Sequence, residues 1–144
     1  MVSLADFAPT FVQASGEPVP HYGAGRSLVP FLRDAPPASW RQEMCGQVNG
    51  VESYFTQRSI WTKDLKYVYN PFDYDELYDL RKDPDEMVNL SDSPVYRDAK
   101  LDLVRRMWRF AHEQDDGLAI SGTYITVSLA PEGPISGLRA PGTQ

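Results

Sequence analysis

Cys45 is the sole cysteine of this chain, His21 and His112 are its only imidazoles, and eight acidic side chains gather within Asp73–Asp92. These are the residue types from which nucleophiles, general bases and metal cages are made. Their spacing limits what they can do. Cys45 is followed by Gly46-Gln47-Val48-Asn49, with no electropositive neighbour to hold a thiolate, so it reads as a small hydrophobe. His21 follows Pro20 in a loop, and His112 falls near a helix C-terminus, where a cation complements the dipole. Two isolated imidazoles make neither a triad nor a metal site. The acidic run is opposed by Arg81 and Lys82. Read as a calcium loop from Asp73, it has Tyr78 where glycine is needed and Pro84 where the closing glutamate belongs. It is better read as turn chemistry and a solvated sheet edge. Gly23-Ala24-Gly25 does not follow a strand, so it is no phosphate loop.

The elements that must position these residues are legible. Val51–Trp61 and Lys66–Tyr69 are rich in aromatic and β-branched residues and read as strands. Thr62-Lys63-Asp64-Leu65 between them reads as a hairpin turn without the usual Asn-Gly or Asp-Gly. Asn70-Pro71 ends the second strand, and Glu76–Leu80 is a third. Asp83-Pro84-Asp85-Glu86 has the pattern of a type I turn. A helix over about 94–115 follows. Ser93 is its expected cap, Pro94 its first residue and Asp98 its dipole partner. Leu101, Val104, Trp108 and Ala111 form its apolar stripe, widened by Leu103, Met107 and Phe110, and Gly117 is the expected stop. Nearer the N-terminus, Ser3 and Asp6 form a capping-box-like pair. Leu4, Phe7, Ala8, Phe11 and Val12 share one face of that helix, Pro9 threatens to kink it, and Gly16 ends it.

Particular words carry a resemblance. Arg58, Thr62-Lys63, Lys66-Tyr67-Val68, Asp75-Glu76-Leu77-Tyr78-Asp79-Leu80, Asp83-Pro84, Glu86 and Asn89-Leu90 occur in order. They resemble the C-terminal subdomain of the sulfatase family, within the alkaline-phosphatase-like superfamily. Val2–Thr10, Gly16 and Gly25-Arg26-Ser27-Leu28-Val29-Pro30 are similar to the preceding piece. The resemblance covers about residues 2–117. It implies an α+β fold: a small antiparallel β-sheet packed against a long C-terminal helix, preceded by a helix left over from the large α/β sulfatase domain. It also implies that this chain is the last portion of a longer enzyme.

The resemblance fixes what is expected of the chemistry. Family members carry a Cys/Ser-x-Pro-x-Arg motif, oxidised to formylglycine, and a divalent metal, calcium or magnesium. Cys45 has neither the Pro nor the Arg, and no serine here has both. No catalytic residue and no metal ligand is therefore expected in this chain. Arg58, Trp61 and Lys63 are the substrate-contact candidates, because the family's C-terminal sheet borders the active-site mouth. Arginine suits an anionic group through paired hydrogen bonds, and tryptophan suits a ring. The competing reading pairs Arg58 with an acidic neighbour and packs Trp61 under the helix.

Composition bounds the rest. A net charge of −6 argues against a nucleic-acid partner. No apolar run of membrane-spanning length and no signal-peptide pattern occurs, so no membrane partner is expected and the compartment stays open. One cysteine excludes an internal disulfide. Four segments are expected: terminal helix and loop at 1–33, linker or lid at 34–50, sheet and helix at 51–116, and a partly flexible tail at 117–144. Within the tail, Thr123–Leu129 is a candidate strand. The functional reading is a sulfuric ester hydrolase portion, inactive alone, whose sulfate-ester substrate belongs to the complete enzyme. The alternatives are a non-enzymatic, partner-binding remnant of the fold and a piece of a related phosphonate or phosphate ester hydrolase. The apolar face of the N-terminal helix predicts one of three outcomes: self-association, a bound partner, or mobility of residues 1–20.

Overall fold

Ser3 starts the first helix through the reciprocal cap that its spacing to Asp6 predicts. Its Oγ accepts from the Ala5 amide at 3.3 Å, and Asp6 Oδ2 accepts from the Ser3 amide at 2.8 Å. A single 3-10 turn, Leu4–Asp6, runs into α1, Phe7–Ala14. Pro9 thus falls in the first turn of α1, where its missing N–H leaves no carbonyl of α1 unpaired. Gly16 follows with φ +89°. The structure, a computed structural model, describes residues 1–19, 23–50, 55–117 and 132–134. They divide into two units, Met1–Met44 and Cys45–Gln144.

In the first unit the loop after α1 is stitched back onto its start. Asp6 is fully buried and accepts from the Arg26 amide at 2.8 Å and from both terminal nitrogens of Arg41 at 3.1 and 2.6 Å. Thr10 Oγ1 donates to Asp6 O at 2.5 Å and accepts from the Leu28 amide at 2.9 Å. A Cβ on Gly25 would lie 2.1 Å from Ala5 O, so only glycine passes there. The Gly25-Arg26 word therefore serves packing. A short helix α2, Val29–Leu32, carries Pro30 in its first turn. Phe31 meets Trp40 edge-on at 4.8 Å, and the Arg41 guanidinium lies 5.0 Å from the same indole.

The second unit is an α+β layer pair. Its sheet has the order β1-β2-β3-β4: Glu43–Asn49, Thr56–Thr62, Leu65–Tyr69 and Glu76–Asp79. β1 lies inside the span read as a linker. Its Gly46, Gln47 and Asn49 are poor strand formers, and pairing with β2 overrides that preference. β2 pairs antiparallel with β3 through Arg58↔Tyr69 and Ile60↔Tyr67, and β3 with β4 through Tyr67↔Leu77. Thr62 closes the hairpin in place of Asn-Gly, its Oγ1 accepting from the Leu65 amide at 2.9 Å. Residues 51–54 of the predicted first strand lie outside the described residues, as do His21 and the whole Thr123–Leu129 candidate.

Alternation places Ile60, Tyr67, Tyr69 and Leu77 on one face, where they pack on α3, Arg97–Glu113. Leu103, Val104, Met107, Trp108 and Ala111 form the buried stripe of α3. Leu101 and Phe110 sit at its half-buried margins. Tyr69 and Trp108 meet edge-on at 5.1 Å. A 3-10 turn, Pro94–Tyr96, precedes α3, and Ser93 makes no side-chain cap bond. Asp115, at φ 52°, makes the left-handed exit expected of Gly117. The Trp108 Nε1 donates to Glu132 O at 2.6 Å, and Gly133 and Pro134 are buried. This part of the tail, read as flexible, thus lies against α3.

The acidic run does the turn work expected of it. Asp79 is buried, and its carboxylate accepts from the Arg81 amide and guanidinium at 3.2 Å and from Tyr96 Oη at 2.9 Å. The Glu86 amide donates to Asp83 O at 3.2 Å, with Glu86 at φ 56°. Asp83 Oδ2 accepts from the Val88 amide at 2.8 Å. Asn89 Oδ1 accepts from the Leu77 amide at 3.1 Å, and the Leu90 amide donates to Leu77 O at 2.8 Å. Asn89-Leu90 therefore satisfies the free edge of β4.

Candidate functional site

The three substrate-contact candidates do not converge. Arg58, Trp61 and Lys63 occupy one face of β2, the opposite face and the hairpin tip. Arg58 is only 4% exposed, and its guanidinium is committed within the chain. Nε and Nη2 donate to Asp116 Oδ2 and Oδ1 at 2.5 and 2.9 Å, and Nη1 donates to Thr56 Oγ1 at 2.7 Å and Asn49 Oδ1 at 3.1 Å. The paired geometry that suits a sulfate is spent on a carboxylate, tying β2 to the chain just after α3.

Trp61 does not pack under the helix. It alternates with Ile60 and so lies on the other face, over Gly46, where a Cβ would come within 2.9 Å of the indole. Lys66, its cross-strand partner, sits between two rings, its ammonium 6.0 Å from Trp61 and 5.8 Å from Tyr78. Glu86 completes an ion pair with Lys66. Burial pushes the Tyr78 phenol up to about 12, helped by its bond to Glu76. Lys63 is exposed in the two-residue loop.

Other charged groups are shared out in similar fashion. Burial opposes ionisation of Asp6, yet the Arg26 and Ser3 amides and Arg41 outweigh it and hold the carboxyl below its usual range. The Arg81 side chain does the same for Asp79, against burial and with help from Tyr96. Asp75 accepts from Tyr67 Oη at 2.7 Å and from the Asn70 amide at 2.9 Å, so burial first and Asp75 second raise the Tyr67 phenol far above its normal value. Cys45 packs against the edge of the core and is in no disulfide. Among the described residues no three of His, Cys, Asp and Glu converge as a metal cage, and no helix is long and apolar enough to cross a membrane. Sequence reading missed β1, the Asp79–Tyr96 lock and the Asp75 knot. The motif words that contain Asp75 and Asp79 mark the last two, and no motif word covers β1.

A small antiparallel sheet closed by one long helix, after a capped helix and a glycine-locked loop, defines the C-terminal region of an alkaline-phosphatase-like sulfatase. The model of the family N-sulphoglucosamine sulphohydrolase, C-terminal, matches residues 1–113, and the chain belongs to that family. A Haemophilus influenzae protein of uncharacterized function is 36% identical over 107 residues, 74% of this chain and 55% of that protein. The N-acetylglucosamine-6-O-sulfatase of Bacteroides thetaiotaomicron is 34% identical over 107 residues, 69% of this chain and 19% of its own length. A structure solved in complex with its substrate, D-glucosamine-2-N,6-O-disulfate, superposes with TM-score 0.68 at 30% identity, covering 77% of this chain and 24% of the other. The chain thus spans about half the length of the first relative and about a fifth to a quarter of the other two.

Proposed function

We propose that this chain is the C-terminal portion of a sulfuric ester hydrolase acting on a sulfated sugar, and that it is inactive alone. The observation that carries the reading is the family match over residues 1–113, in a sequence that holds no Cys/Ser-x-Pro-x-Arg segment. The sulfatase relatives support the substrate class. In the complete enzyme the formylglycine would supply the covalent nucleophile, and a divalent metal would polarise the sulfate. The sequence holds no Cys/Ser-x-Pro-x-Arg segment from which a formylglycine could form, and among the described residues no three of His, Cys, Asp and Glu gather as a metal cage. Their part is to present a rigid sheet.

Within that role the candidates divide. Arg58 positions β2 through Asp116. Trp61 and Lys63 remain half-exposed and exposed, and they are the side chains proposed to meet substrate at the mouth of the complete enzyme. The test is hydrolysis of 4-nitrophenyl sulfate by the purified chain, with and without calcium or magnesium. The expected result is no release above solvent background. Release abolished by Cys45→Ala would overturn the proposal.

A further inference from the structure

Trp108 is fully buried in the α3–sheet core, and its indole has one donor and no acceptor. That donor is not spent within the sheet and helix. It goes to Glu132 O at 2.6 Å, in a stretch of chain beyond the matched residues 1–113. A buried indole N–H needs such a partner. Gly133 and Pro134 are buried in turn. Three consecutive residues of the tail are therefore seated on the unit that α3 closes.

The Glu132 side chain makes a second, separate contact. Its Oε1 pairs with Lys100 Nζ at 3.1 Å. The Lys100 side chain is only 12% exposed, and its ammonium also lies 3.6 Å from Asp75 Oδ2 and 6.0 Å from the centre of the Tyr67 ring. Asp75 Oδ2 is the oxygen that accepts from Tyr67 Oη at 2.7 Å, while Oδ1 accepts from the Asn70 amide at 2.9 Å. Lys100 is thus shared between a carboxylate of the tail and the carboxylate that ties down the β3–β4 connection. The shorter of its two contacts is the one to the tail.

We propose that Glu132-Gly133-Pro134 is a strap that closes α3 onto the sheet and, through Lys100, sets the grip of Asp75 on the β3–β4 connection. Seated, the strap satisfies Trp108 with its carbonyl and holds Lys100 with its carboxylate. Asp75 is then left to Tyr67 and Asn70. Released, it orphans the Trp108 donor, and Lys100 moves wholly onto Asp75 Oδ2 in competition with Tyr67. The state of the tail is thereby read at Asn70.

The experiment is hydrogen exchange of the full 144-residue chain, followed by NMR at the Trp108 indole and the Asn70 amide. Pro134→Asp puts a charge at a buried position and should unseat the strap. The Trp108 indole should then exchange about tenfold faster and the Asn70 amide about threefold faster. Glu132→Ala keeps the carbonyl and removes only the carboxylate. It should speed Asn70 to a similar degree while the Trp108 indole stays within about twofold of the parent. The Arg26 amide, held by Asp6 in the first unit, should be unchanged in both variants. If Pro134→Asp does not fold, Glu132→Ala carries the test, since that side chain is partly exposed. A parental Trp108 indole that exchanges as fast as that of half-exposed Trp61 would overturn the proposal. So would an Asn70 amide unmoved by Glu132→Ala, or a folded Pro134→Asp variant with the parent's exchange at Trp108.

Discussion

Arg58 shows how a residue suited to ligand binding can be consumed by the fold. Its Nε and Nη2 bind Asp116 and its Nη1 binds Thr56 and Asn49, so its removal strands a partly buried carboxylate. Arg58→Ala should cost about 3 kcal/mol in urea unfolding, and Arg58→Lys should recover less than half, because an ammonium cannot form the paired bonds. A loss below about 0.5 kcal/mol would place the pair among ordinary surface ion pairs. Asp6 and Asp79 set the acid response. Both carboxyls are held below the usual value of 3.8, so each favours the folded state above that pH. That stability is lost as pH falls from about 4 through the lower folded-state values. The urea midpoint should therefore decline below about pH 4, and Asp79→Asn should flatten the decline. A variant with the parent's acid slope would show that Asp79 does not contribute to the acid response.

The elements are legible where local pattern and tertiary packing agree. The period of α3 names Val104, Trp108 and Ala111, and the same residues are buried against Ile60, Tyr67 and Leu77. Trp108 lies at the centre, so Trp108→Ala should cost about 3–5 kcal/mol. An unfolding midpoint close to the parent's would contradict the core described here. Ends are less legible. Ser93 makes no side-chain cap bond at the 3-10 turn that leads into α3, and Asp115 takes the exit expected of Gly117, beside the Asp116 that Arg58 holds. β1 is hidden from sequence reading since its polar, glycine-bearing stretch becomes a strand only beside β2. The apolar face shared by the first 3-10 turn and α1 is left open, with Leu4 81% and Phe11 69% exposed. Self-association through that face is the proposed consequence. Sedimentation should show a concentration-dependent dimer that Leu4→Ser with Phe11→Ser reduces to monomer. A parent chain that stays monomeric at high concentration would refute it.

At the scale of the whole molecule, the motif words are enough to point to the family, and the fold gives each of them a physical task. Asp83, Glu86, Asn89 and Leu90 build the return that closes the β4 edge, while Gly25 and Asp6 lock the first loop. The site is less legible because its parts are remote in sequence. Asp116 meets Arg58 across 58 positions, and Lys100 reaches Asp75 only once α3 has docked. Sequence spacing carries no signal for such pairs.

These residues are proposed to act as the C-terminal region of a complete sulfatase. The most direct measurement replaces the matched C-terminal stretch of the Bacteroides thetaiotaomicron N-acetylglucosamine-6-O-sulfatase with residues 1–113 of this chain and follows sulfate release. A soluble chimera should form and keep kcat/KM within about a hundredfold of the parent enzyme. A chimera that folds cooperatively yet releases no sulfate would contradict the claim.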